Sequence, residues 1–142
     1  MSQPKIDPKL KELARNARSK SYSPYSNCKV GAVIRLSNGK LYTGCNVENS
    51  SYGASHCAER TAITKAVSEE GPQIQIEEIV VATDASPPWS PCGICRQVII
   101  EFAAPTCMVH LVNLGDEEQS HLFKTLLPFG FDREVLLGKI DP

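Results

Sequence analysis

The sequence lacks three features that mark large classes of protein: an excess of one charge, a long apolar run and abundant aromatic residues. Its 15 lysine and arginine residues nearly balance 16 aspartate and glutamate residues, and the formal net charge is −1. This balance gives no electrostatic reason to expect a nucleic acid or an anionic membrane as partner. No apolar run approaches the roughly 18 residues of a membrane-spanning helix, and Met1 to Arg15 contain no apolar core of a signal peptide. We therefore expect a protein of the cytoplasm or the nucleus, without a membrane partner.

The six cysteines do not indicate a disulfide framework. Small secreted domains use disulfides when they cannot bury a sufficient core, whereas 142 residues, 42% of them apolar, suffice for one domain with a single core. Cys92 and Cys95 have the CxxC spacing that is typical of metal binding in a reducing compartment. We expect reduced thiols and one domain over residues 1–142.

The order of predicted elements indicates an α/β domain. Apolar periodicity and turn residues predict four strands, over residues 30–36, 41–47, 76–83 and 107–112. The same signals predict helices over residues 8–20, 57–69, 92–102, 121–127 and 132–137. Residues 115–120 are polar, and we expect a turn there.

The predicted connections bring two helix starts together. From residue 41 onward the order is strand, helix, strand, helix, strand. Right-handed crossovers make these three strands parallel. Both helices then begin at the carboxyl ends of neighbouring strands, where open α/β sheets place their sites. The start of helix 57–69 is therefore expected beside the start of helix 92–102.

Three cysteines occupy these helix starts. Cys57, Cys92 and Cys95 can supply three thiolate ligands to one zinc ion and leave a fourth position open for water. Three protein ligands with an open position are typical of a catalytic zinc site, whereas four ligands are typical of a structural one. Glu59 follows Cys57 by two residues, and a side chain at a helix start points back past the N-terminus. We therefore predict a zinc site that activates water, with Glu59 as the group that moves protons.

The charge of this cluster needs compensation. Zinc and three thiolates together carry a net negative charge, which opposes the ionisation of a bound water molecule. The first turns of two helices favour anions through their unpaired N–H groups and positive dipole ends. Arg60, three residues after Cys57, can donate a hydrogen bond to a ligand sulfur, or it can form a surface salt bridge.

Three motifs together resemble one known family. They are Cys45-Asn46-Val47-Glu48-Asn49, Cys57-Ala58-Glu59-Arg60 and Ser90-Pro91-Cys92-Gly93-Ile94-Cys95-Arg96-Gln97. A CxE followed by a PCxxC matches the zinc-deaminase signature with cysteine as first ligand. The chain is similar, over roughly residues 13–131, to the small cytidine deaminases that act on free nucleosides. The resemblance implies a three-layer α/β/α fold with a mixed five-stranded sheet, one Zn²⁺ per chain and a homotetramer with sites at subunit interfaces.

The implied activity is hydrolytic deamination of cytidine and 2′-deoxycytidine to uridine and 2′-deoxyuridine in pyrimidine salvage. The resemblance implies that Asn46 and Glu48 form hydrogen bonds with the ribose 3′-hydroxyl. A carboxylate that accepts from this hydroxyl would repel a 3′-phosphate in the same place, which favours a free nucleoside over a nucleotide within a strand.

Five further residues receive roles through the same resemblance. It implies that Ala58 presents its backbone N–H to the base carbonyl and that the Ser90 carbonyl meets the amino group at C4. It implies that Arg60 donates a hydrogen bond to a ligand sulfur. Tyr52 and Phe131 match aromatic positions that reach a site across a subunit boundary, although Phe131 also fits a position in the core.

The chain departs from the family at Cys28, where many relatives have a phenylalanine that packs on the nucleoside. This departure removes aromatic contact area and leaves a roomier pocket. Trp89, just before the Ser90-Pro91-Cys92 motif, either supplies a replacement wall or packs in the core or on the surface.

Four alternatives to a nucleoside deaminase stay open. A deaminase of cytosine in RNA or single-stranded DNA would need a basic groove with stacking aromatics, but aromatic residues make up only 6% of this chain. A roomier pocket could accept an aminated nucleoside antibiotic. A zinc module without catalysis would need a fourth ligand and no role for Glu59. A redox protein built on Cys92 and Cys95 would have no use for Cys57.

Overall fold

One sheet of five strands forms the centre of the protein in the computed structural model, which describes residues 4–139. The strands are β1 (Gly31–Leu36), β2 (Leu41–Cys45), β3 (Ile76–Ala82), β4 (Ala103–Val112) and β5 (Glu118–Leu122). The α-helices of the described residues are α1 (Pro8–Arg18), α2 (Ala58–Glu70), α3 (Gly93–Phe102), α4 (Phe123–Leu126) and α5 (Arg133–Leu136). Within residues 4–139, none of these helices combines the length and apolar character needed to cross a membrane.

The strands lie in the order β2-β1-β3-β4-β5, and the sheet is mixed. β1 is antiparallel to both β2 and β3, β3 is parallel to β4, and β4 is antiparallel to β5. β2, β3 and β4 therefore run in the same direction, as the crossovers predict, although β1 lies between β2 and β3. α2 and α3 follow β2 and β3, so their N-termini lie at the carboxyl-end edge of the sheet.

Helices cover both faces of the sheet, which confirms the three-layer architecture. On one face, Leu10 and Ala14 of α1 belong to a buried cluster with Val33, Val80 and Val112. On the other face, α2 and α3 bury a larger cluster whose fully buried members include Ile34, Ile63, Ile79, Ile99 and Val109. α1 begins as its sequence predicts, with Pro8 in the first turn and the Asp7 side chain accepting a hydrogen bond from the Lys9 N–H at 2.9 Å.

Gly44 sets the distance between β2 and α2. A Cβ atom at this position would lie 2.5 Å from the Ala58 carbonyl oxygen and 2.6 Å from the Ala62 nitrogen. Only a residue without a side chain therefore allows the first turns of α2 to lie so close to the sheet. These turns carry Cys57 and Glu59, so the close contact also determines where the site lies.

The last strand contradicts the prediction for its segment. Residues 115–120 were expected to form a polar turn and 121–127 a helix, but Glu118–Leu122 form β5 and only Phe123–Leu126 are helical. The segment has the sequence Glu-Gln-Ser-His-Leu, without alternating apolar residues, because it lies at the edge of the sheet and none of its residues is fully buried. Hydrogen bonding to β4, from Met108 opposite Leu122 to Val112 opposite Glu118, decides its conformation.

Candidate active site

Three cysteine sulfurs converge between the N-termini of α2 and α3. Cys57 and Cys92 are the N-cap residues of these helices, and Cys95 lies in the first turn of α3. Their Sγ atoms all lie within 4.8 Å of one another, and those of Cys57 and Cys92 are 3.7 Å apart. Tetrahedral zinc with Zn–S bonds of about 2.3 Å holds its sulfurs roughly 3.8 Å apart. The donor set and its spacing therefore fit one zinc ion.

Hydrogen-bond donors surround the cluster. The Cys95 N–H lies 3.4 Å from Cys92 Sγ, and Arg60 Nη2 lies 3.4 Å from Cys57 Sγ and 3.4 Å from the Ser55 carbonyl oxygen. The pKa of the Cys57 thiol is lowered to about 5, first by the hydrogen bond from Cys95 and then by Arg60, while burial opposes the shift. The pKa of Cys95 is raised because its thiol donates that hydrogen bond and is buried. The surroundings thus stabilise a thiolate at the start of α2.

Glu59 is a buried carboxyl group beside these sulfurs. Only 4% of the residue is exposed, and Glu59 Oε2 lies 3.8 Å from the Cys95 sulfur. Burial raises the pKa of Glu59 to about 7, and the charge of the Cys57 thiolate adds to this effect. A carboxyl group with a pKa near neutrality can both accept and donate a proton at physiological pH.

A cavity of about 170 Å³ opens onto the sulfurs and the carboxyl group. Its lining combines residues from both helix starts, from β3 and from the segments before β1 and after β2. The lining residues are Val30, Asn46, Cys57, Ala58, Glu59, Val81, Thr83, Trp89, Ser90 and Cys92. A small molecule in this cavity would meet two of the three sulfurs, one titratable carboxyl group and an otherwise mostly uncharged wall.

Comparisons with known proteins identify the family. Residues 4–111 match the family model of the cytidine and deoxycytidylate deaminase zinc-binding region. A cytidine deaminase from Sporosarcina psychrophila is 46% identical over 129 residues, which cover 90% of this chain and 93% of that protein. The chain belongs to the cytidine deaminase family. The predictions of a zinc-dependent hydrolase of this family and of zinc as its cofactor are thereby confirmed.

Other deaminases of the family agree with this assignment. The probable cytidine deaminase of Dictyostelium discoideum is 40% identical over 144 residues, covering 99% of this chain and 93% of that protein. The crystal structure of cytidine deaminase from Burkholderia pseudomallei superposes with a TM-score of 0.83 at 43% identity, covering 89% of this chain and 100% of that chain. The predicted mixed five-stranded α/β fold is therefore the fold of the deaminase family.

Asn46 lines the deaminase cavity, but its side chain already makes three hydrogen bonds within its own chain. Its Oδ1 accepts hydrogen bonds from the Val30 N–H at 2.9 Å and from the Ser21 hydroxyl, and its Nδ2 donates to the Cys28 carbonyl at 2.7 Å. An amide Nδ2 carries two hydrogens, so one N–H of Asn46 is left for a ligand. The residue therefore also ties the segment before β1 to the end of β2.

Glu48 and Tyr52 lie in a neighbouring depression of about 290 Å³ rather than in the cavity, together with Tyr25, Ser26 and Ser55. Glu48 Oε1 accepts from the N–H groups of Tyr25 at 3.0 Å and Ser26 at 3.1 Å. Hydrogen bonds, first from the Ser26 side chain and then from these backbone groups, lower the pKa of Glu48. The Tyr52 ring lies 5.9 Å from that of Tyr25 and is 76% exposed.

Phe131 does not line the cavity of its own chain. It is 56% exposed, and its carbonyl accepts a hydrogen bond from Gln97 Nε2 at 2.8 Å. Phe129 in the same segment is fully exposed. Of the two positions considered for Phe131, the core is therefore ruled out within one chain.

Arg96 is not among the site residues predicted from the sequence, although its guanidinium group makes three hydrogen bonds beside the site of the deaminase. Its Nε donates to the Pro91 carbonyl at 2.8 Å, its Nη1 to the Leu126 carbonyl at 2.6 Å and its Nη2 to Ser90 Oγ at 2.8 Å. It thus holds the segment before Cys92 against α3 and α4. Its place directly after a ligand, in the first turn of a helix, is the only signal in the sequence.

Proposed function

We propose that the protein hydrolyses cytidine and 2′-deoxycytidine to uridine and 2′-deoxyuridine with release of ammonia, as a step of pyrimidine salvage. Cys57, Cys92 and Cys95 hold one zinc ion, and Glu59 carries protons. The observation that carries the proposal is the buried Glu59 carboxyl group, which shares one small cavity with the sulfurs of Cys57 and Cys92.

The proton transfers can be assigned to the chain's own groups. Zinc bound by the three thiolates would lower the pKa of a water molecule at the open position. Glu59 takes a proton from this water and delivers it to N3 of the base while the water oxygen bonds to C4. The carboxylate then takes the second proton from that oxygen and donates it to the amino group, so that the C4–N bond breaks, ammonia leaves and a C4 carbonyl remains. The pKa of about 7 allows the carboxyl group to alternate between its two forms.

Two backbone groups orient the base. Ala58 is the first residue of α2, and N–H groups in the first turn of a helix have no partner within the helix. Its N–H can therefore donate to the base carbonyl. The Ser90 carbonyl accepts from the amino group at C4, and the hydrogen bond from Arg96 to Ser90 Oγ holds this residue in place.

Asn46 and Glu48 bind the ribose 3′-hydroxyl. Support comes from the remaining N–H of Asn46 and from the lowered pKa of Glu48, which keeps its carboxylate ionised as an acceptor. An ionised carboxylate repels a phosphate at the 3′ position, and the net charge of −1 gives no overall attraction for a phosphorylated substrate. The substrate is therefore a free nucleoside.

The functional unit is a homotetramer of single-domain subunits with sites at subunit interfaces. Exposed aromatic side chains at Tyr52, Phe129 and Phe131 support this proposal, because such surfaces normally contact another chain. In this assembly Tyr52 and Phe131 contact the substrate of a neighbouring subunit. The enzyme acts in a reducing compartment, the cytoplasm or the nucleus, because its thiol ligands must stay reduced.

A substrate panel, run with a metal analysis on the same preparation, tests the proposal. Loss of ultraviolet absorbance is followed for cytidine, 2′-deoxycytidine, cytidine 3′-monophosphate, a short cytosine-containing oligonucleotide and an aminated nucleoside antibiotic. We expect turnover of the two nucleosides and much slower turnover of the phosphorylated substrates. Equal rates on the nucleosides, the nucleotide and the oligonucleotide would contradict the roles of Asn46 and Glu48.

A further inference from the structure

Trp89 is the only tryptophan of the chain and lies at the wall of the cavity. Of the ten described residues that line the cavity, it alone carries an aromatic ring. The remaining apolar side chains of the lining, those of Val30 and Val81 among them, are aliphatic. The residue is 52% exposed, so Trp89 lies at the surface beside the cavity rather than in the core.

Hydrogen bonds hold the backbone of Trp89 and the side chain of the next residue in place. The backbone N–H of Trp89 donates to Thr83 Oγ1 at 3.2 Å, and Thr83 is 2% exposed and lines the same cavity. The next residue, Ser90, accepts a hydrogen bond from Arg96 at 2.8 Å. Contacts to the end of β3 and to α3 therefore hold a segment that would otherwise be a free loop.

We propose that Trp89 is a substrate-contacting residue whose indole ring stacks on the pyrimidine ring, and that Thr83 positions it. The inference rests on the proposed function, which places the base in this cavity. A pyrimidine has a flat π-face, and base–aromatic stacking is favourable for every base. Since the reacting edge of the base points at Glu59 and the sulfurs, the indole is the one aromatic surface that the cavity lining of the same chain offers to that face. Stacking of this kind strengthens substrate binding and discriminates little between ribose and deoxyribose.

The single tryptophan allows a direct binding test that does not depend on turnover. Uridine, the product, is titrated into the zinc-loaded wild-type enzyme while tryptophan emission is recorded with excitation at the red edge of the absorption band. We expect a saturable change in emission whose half-point matches the inhibition constant of uridine against cytidine, and no change with ribose. Unchanged emission at uridine concentrations that inhibit turnover would overturn the proposal.

Variants of the two residues give a second test. Trp89→Ala should raise KM for cytidine about 10- to 100-fold and lower kcat less, because stacking acts on binding. Trp89→Phe keeps a flat ring and should recover most of the lost affinity. Thr83→Val removes the acceptor for the backbone N–H of Trp89 and should raise KM by a smaller factor. Thr83→Ser keeps the acceptor and should have a KM close to that of the wild type. Zinc content should stay the same in all four variants.

Leu114→Ala is the matched control, since Leu114 is similarly exposed, at 55%, and lies in the turn between β4 and β5. A Trp89→Ala enzyme with the KM of this control would refute the stacking role. If the wild-type enzyme turns over cytidine in the same assay, this unchanged KM of Trp89→Ala refutes the stacking role alone. A zinc-loaded wild-type enzyme that does not turn over cytidine would instead refute the proposed function itself.

Discussion

At the scale of single residues, the surroundings of Glu59 explain why a carboxyl group can act here as both acid and base. Burial raises its pKa to about 7, close to neutral pH. An exposed carboxyl group would be almost fully ionised at this pH and would be a poor acid. The same burial places Glu59 beside Cys95, 3.8 Å from its sulfur.

Replacing Glu59 by glutamine should therefore abolish most of the activity and leave the metal in place. Glutamine preserves the size of the side chain but cannot carry a proton, so kcat should fall by about 10²–10⁴-fold. Steady-state kinetics and elemental analysis on one preparation give both quantities. Glu69→Gln, an exposed position in the same helix, should behave as wild type. Undiminished turnover in Glu59→Gln would remove this residue from the mechanism.

Cys57→Ser should lose the metal. A hydroxyl group is not ionised at neutral pH and is a much weaker zinc ligand than a thiolate. We expect about one zinc ion per chain in the wild type and far less in the variant, together with loss of turnover. Cys45→Ser is the control, because Cys45 lies in β2 outside the cluster and should not change zinc content. A fully active, metal-free preparation would rule out zinc chemistry at this site.

At the scale of elements, the site depends on where two helices begin. Cys57 and Cys92 are N-cap residues, so the metal ligands lie at the positive ends of α2 and α3, which favour anionic ligands. The close contact of α2 with β2 at Gly44 and the contacts of Arg96 with the segment before Cys92 define the relative position of these two ends. Gly44 and Arg96 thus support the site without contributing a side chain to the metal cluster.

A methyl group at residue 44 should test the importance of this close contact. In Gly44→Ala the new Cβ would lie 2.5 Å from the Ala58 carbonyl oxygen, so α2 must move away from β2. We expect a loss of about 1–3 kcal/mol in the free energy of unfolding and weaker zinc binding in competition with a chelator. Gly53→Ala, where a Cβ meets no atom within 4 Å, is the control. Equal stability and zinc affinity in both variants would show that α2 tolerates the shift.

A buried histidine connects four strands on the face covered by α1. His110 Nε2 and Glu78 Oε1 are 2.9 Å apart, and Arg35 holds the other oxygen of Glu78 at 2.9 Å. Because the carboxylate can only accept, Nε2 donates, and Nδ1 then accepts from Ser120 Oγ at 2.7 Å. Burial lowers the pKa of His110 and outweighs the opposite effects of Glu78 and Glu118.

The stability of the fold should therefore fall as the pH decreases through about 6.5, the ordinary histidine pKa. Below this value the unfolded chain binds a proton at His110, while the folded chain, with its lowered pKa, does not. Above it the stabilisation is fully present. Chemical unfolding of wild type and His110→Asn between about pH 5.5 and 7.5 measures how the free energy of unfolding depends on pH. The metal site is the same in both proteins, so its contribution drops out of the difference between them. Parallel curves for the two proteins would contradict the expected contribution of His110.

At the scale of the whole molecule, the three layers leave the cavity at one edge of the sheet, and several aromatic side chains are exposed on the single chain. Tyr52, Trp89, Phe129 and Phe131 are each more than half exposed in the single chain. Such exposed aromatic area is costly to leave in water. The sheet and its two helical layers carry the reacting groups. The exposed aromatic side chains are suited to contact a second chain.

Sedimentation should therefore show four chains in the active species. Dilution below the assembly concentration should lower the specific activity, and Phe131→Ala should weaken assembly, raise KM, or both, since the side chain no longer reaches the neighbouring site. Leu114→Ala serves again as an exposed apolar control. A monomer with full specific activity would rule out shared sites.

Local sequence signals predict much of this protein because its chemistry lies at helix starts. The spacing of Cys57, Cys92 and Cys95 indicates the zinc site, since few other patterns place three thiols near one carboxyl group. The directions of β2, β3 and β4 follow from right-handed crossovers. The strand Glu118–Leu122 was not predicted because its residues show no alternation of apolar and polar side chains. It forms only through hydrogen bonds to β4, which the sequence does not reveal.

The amino-acid sequence by itself thus determined the three cysteines proposed as metal ligands, the choice of Glu59 as the proposed acid–base residue and the order of the layers, because each depends on residue type, short spacing or chain connectivity. Only the tertiary structure decided that Glu59 is buried, that Trp89 lies at the cavity wall and that Arg96 holds the segment before Cys92. These properties depend on which distant segments pack together. Burial, shared cavities and hydrogen bonds between segments arise only when the folded sheet brings those segments into contact.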